Sequence, residues 1–368
     1  MRHGAPASRR LARRCLAVAL AALLATTARA GTFKFFGSAG AEAQLTPANP
    51  ASPLLRGNTS AVAFQTNSAD AVAFIDAAPE GRRWKLHLKL RADANDRATD
   101  AASVGEAFVQ FAPKPWLEIT AGRAIEKWGT GYAWNPTAFI GPRKNPADPS
   151  DRRSAFRGLD MLKADLFIRD TSLSLYALGG GAFAARAYRL VGGTDVALHL
   201  RRDARGTQQG LSVARVFGDA LELHGEVARR HALAGGQYTF RNNVNVVVEV
   251  YHGGDGLSAA QWRDFTARVD GARDASAILA ANADYAPLRM ARNYAFARLY
   301  RPGFIDGELI AIASLRDGSA LARLTLTRKL RANLSAYLID TEFAGRRGSE
   351  MAYIQVRRVT TAGVRLYF

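Results

Sequence analysis

Between Trp84 and Arg91, apolar and polar residues alternate without a break. Trp84, Leu86, Leu88 and Leu90 fall on one face of an extended chain, and Lys85, His87, Lys89 and Arg91 on the other. The split recurs along the chain. Leu162, Ala164, Leu166 and Ile168 oppose Lys163, Asp165 and Arg169; Leu221, Leu223 and Val227 oppose Glu222, His224, Glu226 and Arg230. Val244, Val246, Val248 and Val250 oppose Asn243, Asn245, Glu249 and Tyr251; Leu334, Ala336 and Leu338 oppose Asn333, Ser335 and Tyr337. This period predicts strands over 33–44, 57–66, 82–92, 104–112, 115–125, 158–169, 171–179, 195–202, 207–217, 220–231, 242–252, 290–300, 305–315, 319–329, 331–341 and 359–368. The count is about 16, within a range of 14–18, because 70–76 and 350–357 alternate more weakly and read as extra strands or loop hairpins.

Two long segments break the pattern. In 126–157 alternation stops, and Trp128, Tyr132 and Trp134 crowd among Gly129, Gly131 and Pro136. The charged residues Arg143, Lys144, Asp148, Asp151, Arg152, Arg153 and Arg157 follow. A connection of this length usually has a function or is disordered, and three aromatic residues argue for order. In 253–289, Ser258 to Val269 and Arg273 to Tyr285 have helical composition, with Trp262, Phe265 and Val269 at helical spacing. That apolar stripe predicts packing on a rim in preference to a lid. With the last strand taken as running inward, the short connections at Lys114-Pro115, Arg169-Asp170, Arg301-Pro302-Gly303 and Lys329-Leu330 fall on one side and both long segments on the other.

The ends add a compartment. Arg9, Arg10, Arg13 and Arg14 precede a short apolar run from Leu16 to Ala25, and Ala28-Arg29-Ala30 offers a cleavage site, so residues 1–30 read as a signal peptide. The run is too short to span a bilayer, which takes about 20 residues. Ser8-Arg9-Arg10 faintly resembles a twin-arginine signal, but that route carries folded proteins, and a lipid-facing barrel cannot fold in the cytoplasm. Cys15 leaves with the signal, which removes disulfides and thiolate metal sites from the mature chain, 31–368. No stretch of that chain approaches a transmembrane helix, so insertion would use strands.

The formal net charge is +18, and the six arginines within residues 1–30 account for 6 of it, leaving +12 on the mature chain. Export argues against nucleic acid as the partner of this charge. Two readings remain: arginines pairing with lipopolysaccharide phosphates at the surface, or basic residues lining a pore that favours anions. The near-neutral mean hydropathy fits a barrel, half of whose strand residues are polar, and also fits a soluble secreted protein.

The last ten residues, Val359 to Phe368, alternate again, with Val364, Leu366 and Phe368 on one face and Arg365 and Tyr367 on the other. This terminus resembles those of Gram-negative outer-membrane β-barrels. The resemblance implies an antiparallel up-and-down transmembrane barrel whose terminal Phe368 is read by the barrel-assembly machinery. The position of 126–157, after the fifth predicted strand, resembles that of the constriction loop that porins fold into the lumen, and its Gly-Arg-x4-Trp-Gly-x-Gly-Tyr-Ala-Trp-Asn-Pro wording is similar to segments of other outer-membrane barrels. On that reading Arg123, Lys127, Arg143, Lys144, Arg152, Arg153 and Arg157 set a positive field, with Lys85, His87, Lys89 and Arg91 on the wall. Glu126, Asp148 and Asp151 oppose the field or fix the loop by pairing. The alternatives are a packed plug or an outer cap.

Catalysis has little support. The mature histidines, His87, His199, His224, His231 and His252, sit in or near strand patterns, and none lies beside a Gly-x-Ser-x-Gly elbow. No metal-site spacing, phosphate loop or dinucleotide motif is present, so no cofactor is expected. The expectation is a porin-like channel for passive diffusion of small polar or anionic solutes, with a homo-oligomer left open. The rivals are an export component passing a polymer made by partner proteins, and a structural barrel with a blocked lumen.

Overall fold

Each strand pairs antiparallel with the next in the chain, and the last returns to the first. The order is β1 (Thr32–Thr46), β2 (Phe64–Ala78), β3 (Trp84–Asn95), β4 (Ala101–Lys114), β5 (Leu117–Ala124), β6 (Leu159–Ile168), β7 (Thr171–Leu178), β8 (Ala182–Val191), β9 (Thr194–Asp203), β10 (Gly206–Phe217), β11 (Leu221–Ala228), β12 (His231–Thr239), β13 (Asn245–Gly253), β14 (Asn293–Arg301), β15 (Asp306–Ser314), β16 (Ala320–Arg331), β17 (Leu334–Ala344) and β18 (Arg358–Tyr367). Closure is by β1 on β18, with Gly40 opposite Arg365 and Ala41 opposite Val364. The computed structural model describes residues 32–55, 64–78, 83–95, 101–141, 144–148, 158–272 and 274–368; residues 1–30, expected to be a signal peptide, lie outside them.

The burial pattern is inverted relative to a water-soluble protein. Leu198 is 58% exposed while its neighbour His199 is 3% exposed; Val248 and Val250 are each 51% exposed around a fully buried Glu249. Leu223 and Val227 likewise face outward between buried His224 and Glu226. Apolar side chains outside and polar ones inside suit a wall between hydrocarbon and a polar lumen. Closure is what makes this tolerable, since each unpaired backbone group in hydrocarbon costs several kcal/mol.

The eighteen strands lie at the upper end of the expected range of 14–18, two more than the sixteen placed along the sequence. β8 and β12 were not anticipated because alanine and glycine blur their alternation. In β12 the small residues are required by packing: a Cβ on Gly235 would lie 2.7 Å from Glu249 Cγ and 2.9 Å from His224 Nε2. The strand predicted over 57–66 is β2, shifted along the chain to Phe64–Ala78 and absorbing 70–76; residues 57–63 lie outside the described set. Residues 350–357 form no strand of their own, and Glu350–Tyr353 is a 3-10 turn. The turn expected at Lys329-Leu330 lies two residues later, because β16 continues to Arg331.

The connections after β4, β6, β14 and β16 share one rim with the first residues of β1 and the last of β18, where Gly37 and Phe368 exchange backbone hydrogen bonds of 2.8 and 3.1 Å. The two long segments leave from the opposite, loop rim. There α1 (Ala259–Gly271) and α2 (Ala275–Asp284) follow β13. α1 starts at a capping box in which Ser258 and Gln261 satisfy each other's backbone amides. Its stripe of Trp262, Phe265 and Val269 packs with Leu54, Met290 and Tyr353. The helix pair is therefore a rim element tying the β13–β14 connection to those of β1–β2 and β17–β18.

Candidate constriction loop

After Ala124 the chain turns into the barrel. Its backbone amides then need acceptors, because a buried unpaired N–H costs about 1–3 kcal/mol. Two carboxylates of the wall supply them. Glu226 of β11 accepts from the amides of Thr130 (2.5 Å) and Gly131 (2.7 Å) on one oxygen, and from the amide (2.9 Å) and hydroxyl (2.7 Å) of Thr137 on the other. Glu249 of β13 accepts from the amide of Ala133 at 2.8 Å and from that of Tyr132. His224 stands between Glu249 and Glu222, at 2.9 and 3.1 Å. Four consecutive amides, Thr130 to Ala133, are thus held by two carboxylates at most 1% exposed. Such charge-assisted bonds are roughly twice as strong as neutral ones.

Aromatic packing fixes the same segment. Trp128 lies edge-on to Tyr176 at 5.5 Å and 5.0 Å from the His199 ring. Trp134 stacks on Tyr251 at 4.9 Å and meets Phe296 edge-on. Arg201 donates to the Phe139 carbonyl at 2.6 Å, and Arg323 pairs with Asp148 at 3.1 Å and donates to the Ala147 carbonyl. Glu126 pairs with Lys163 at 2.9 Å and accepts from the Tyr176 hydroxyl. The Ile125 amide donates to Glu106 of β4. These anchors lie on the arc from β4 to β16.

Gly131 shows how tightly the loop is fitted. A Cβ there would lie 2.1 Å from the Trp134 carbonyl oxygen, which belongs to the loop's own backbone and cannot swing aside. Gly131→Ala is expected to push the segment off Glu226 and lower the detergent melting temperature by several degrees. An unchanged melting temperature together with unchanged channel conductance would show that the loop accommodates the methyl group.

The sequence-predicted residues divide. Lys85, His87, Lys89 and Arg91 occupy the inner face of β3: His87 contacts Asp76 and Glu106, Lys89 lies 3.6 Å from Glu106, and Arg91 pairs with Asp93. Arg123 is on the outer face. It shares that face with Ile119 and Ala121, whose partner Leu162 is 54% exposed, and its 2.8 Å pair with Asp160 corrects its expected place in the lumen. Glu126 and Asp148 hold the loop to the wall. Lys144 is consumed within the loop, its ammonium donating to the Gly131 carbonyl, and burial holds it below the ordinary lysine range. Lys127 is exposed and has no carboxylate partner among the described residues; it lies within electrostatic range of Lys89 and of Lys144. Arg143, Asp151, Arg152, Arg153 and Arg157 lie outside the described residues.

Facing the anchored arc is a polar wall. Arg365 of β18 binds Asp70 through both carboxylate oxygens, at 2.7 and 3.0 Å, and donates to Ser38. Glu42 of β1 accepts from the Tyr337 hydroxyl at 2.9 Å and from Ser68. Sequence reasoning did not single out these residues or the two anchoring glutamates as a set. The one available hint was the Gly-Thr-Gly-Tyr run, whose unpaired amides require acceptors somewhere.

No protein-family model matches the chain, and no curated protein matches it. Solved structures do. OccAB4 of Acinetobacter baumannii aligns over 92% of this chain and 99% of its own with a TM-score of 0.60 at 4% identity. OccAB3 of the same organism aligns over 91% and 99%, with a TM-score of 0.59 at 9% identity. A triple mutant of the Rhodopseudomonas blastica porin aligns over 92% and 100%, with a TM-score of 0.51 at 11% identity. The chain has the porin-type fold of a closed antiparallel outer-membrane barrel.

Proposed function

We propose that this protein is an outer-membrane channel for passive diffusion of small polar solutes, with a preference for anions, and that residues 1–30 direct its export. The observation that carries this reading is the inward loop. It is latched to the β4–β16 arc by Glu226 and Glu249, which leaves the polar β17–β3 wall opposite it, and the exposed Lys127 lies within electrostatic range of Lys89. A latched loop narrows a lumen to small solutes and suits diffusion better than passage of a polymer. The likeness to a barrel named as a porin supports the same reading. No covalent chemistry is involved; the work is done by charge on a low-dielectric wall. Two unit charges at 4 Å interact by about 1 kcal/mol in bulk water and about 4 kcal/mol at an effective dielectric of 20, so a lysine in a narrow passage sorts ions that a surface lysine would not.

The test is reconstitution in planar bilayers with a salt gradient. The wild type is expected to conduct with a zero-current potential biased to anions, and Lys127→Glu to lower the anion-to-cation permeability ratio severalfold. A silent wild type would remove the channel reading. A conducting wild type whose ratio is untouched by the substitution would remove only the role of Lys127.

A further inference from the structure

At the loop rim, away from the lumen anchors, lies a cavity of about 530 Å³. It is framed by α1, the turn between β15 and β16, and the connection between β17 and β18. Four arginines line it, Arg263, Arg316, Arg346 and Arg347, against one acid, Asp317. That acid accepts from the amide and hydroxyl of Ser319 and from the amide of Glu350, and it pairs with Arg316 at 3.4 Å, while Glu350 lies 3.8 Å from the same guanidinium nitrogen.

Arg316 is the built part of the site. Its guanidinium lies 4.1 Å over the buried Trp262 ring and donates to the Met290 carbonyl at 3.0 Å, which fixes its plane. Its Nε is buried without an acceptor. Arg263, Arg346 and Arg347 are exposed and make no ion pair among the described residues. Ala259, the first residue of α1, also lines the cavity, so the positive end of a 13-residue helix adds to the field. The indole of Trp262 donates to the Gly348 carbonyl, so the cationic donors left unpaired in the cavity are those of Arg263, Arg346 and Arg347.

We propose that this cavity binds a phosphate group. A tetrahedral dianion matches several guanidinium forks that offer paired donors, and arginine is suited to it by its fixed charge and planar geometry. The site is independent of the permeation pathway. The phosphate could come from a lipid A headgroup of the outer leaflet or from a soluble phosphate compound, and the two are separable.

The experiment measures binding to the detergent-purified barrel by titration calorimetry, using inorganic phosphate, diphosphoryl lipid A and dephosphorylated lipid A. The wild type is expected to bind at least one of the two phosphate-bearing probes. Arg263→Gln/Arg346→Gln/Arg347→Gln should weaken that binding at least tenfold while still migrating as a folded barrel on unboiled gels. Arg316 is left in place because it supports Trp262. Lipid A binding without phosphate binding assigns the site to the headgroup; binding of both assigns it to phosphate in general. Absence of binding to either phosphate-bearing probe, equal binding by the variant, or equal binding of dephosphorylated lipid A would overturn the proposal.

Discussion

Replacing Glu226 and Glu249 together by alanine is expected to free the inward loop and raise single-channel conductance at least twofold. The two carboxylates accept five backbone amides, those of Thr130, Gly131, Tyr132, Ala133 and Thr137. At about 1–3 kcal/mol for each donor left dry, the loop cannot stay in place and moves to where water can reach it. Trypsin supplies a second reading. Lys144 is half-buried with its ammonium on the Gly131 carbonyl in the wild type and should become more readily cleaved in the variant. Glu226→Gln/Glu249→Gln is the graded control: each amide keeps one accepting oxygen but turns an NH2 toward N–H donors, so conductance should rise less. If the alanine variant conducts like the wild type and resists trypsin, the loop is held by its aromatic packing and the carboxylates are incidental.

Deleting Phe368 is expected to have the second largest effect, a severalfold fall in the fraction of protein that runs as a folded barrel on unboiled gels. Its amide and carbonyl exchange hydrogen bonds with Gly37, and its ring lies 5.6 Å from that of Phe35. Gly37 has room for that ring only because it lacks a side chain; a Cβ there would stand 2.7 Å from the Phe368 ring. The deletion therefore opens the β1–β18 seam at its turn-rim end, where unpaired backbone next to lipid is costly. Phe368→Ala separates the two contributions, since it keeps the backbone pair and loses the ring. Recognition of the aromatic ring by the assembly machinery, which we propose as a further role, predicts that Phe368→Ala is impaired in cells while it refolds normally in detergent. Normal folded levels of the deletion variant in both settings would make the terminus dispensable.

The wall of this barrel was legible in local pattern because its physics is local. Alternation of side chains across a strand follows from backbone geometry, so Trp84 to Arg91 or Val244 to Tyr251 can be assigned faces without any knowledge of their neighbours. The same reasoning was blind to β8 and β12, whose alanines and glycines carry no contrast. It also misplaced Arg123, because charge within the approach to a basic loop looks like lumen until Asp160 and exposed Leu162 are seen beside it. The inward loop was legible as a break in period with crowded aromatics. What holds it was not. The acceptors for the amides of Thr130 to Ala133 lie about a hundred residues away, on β11 and β13, and Glu226 and Glu249 look in sequence like any other inward-facing polar residue. Lys144 shows the reverse case: a candidate field charge in sequence, a half-buried brace in the fold. The sequence by itself determined which residues can face lipid and which cannot, because that depends on side-chain period and polarity. Only the tertiary structure decided which of the charges are spent on one another and which, like Lys127, stay exposed, because pairing depends on distances between strands that the order of residues does not specify.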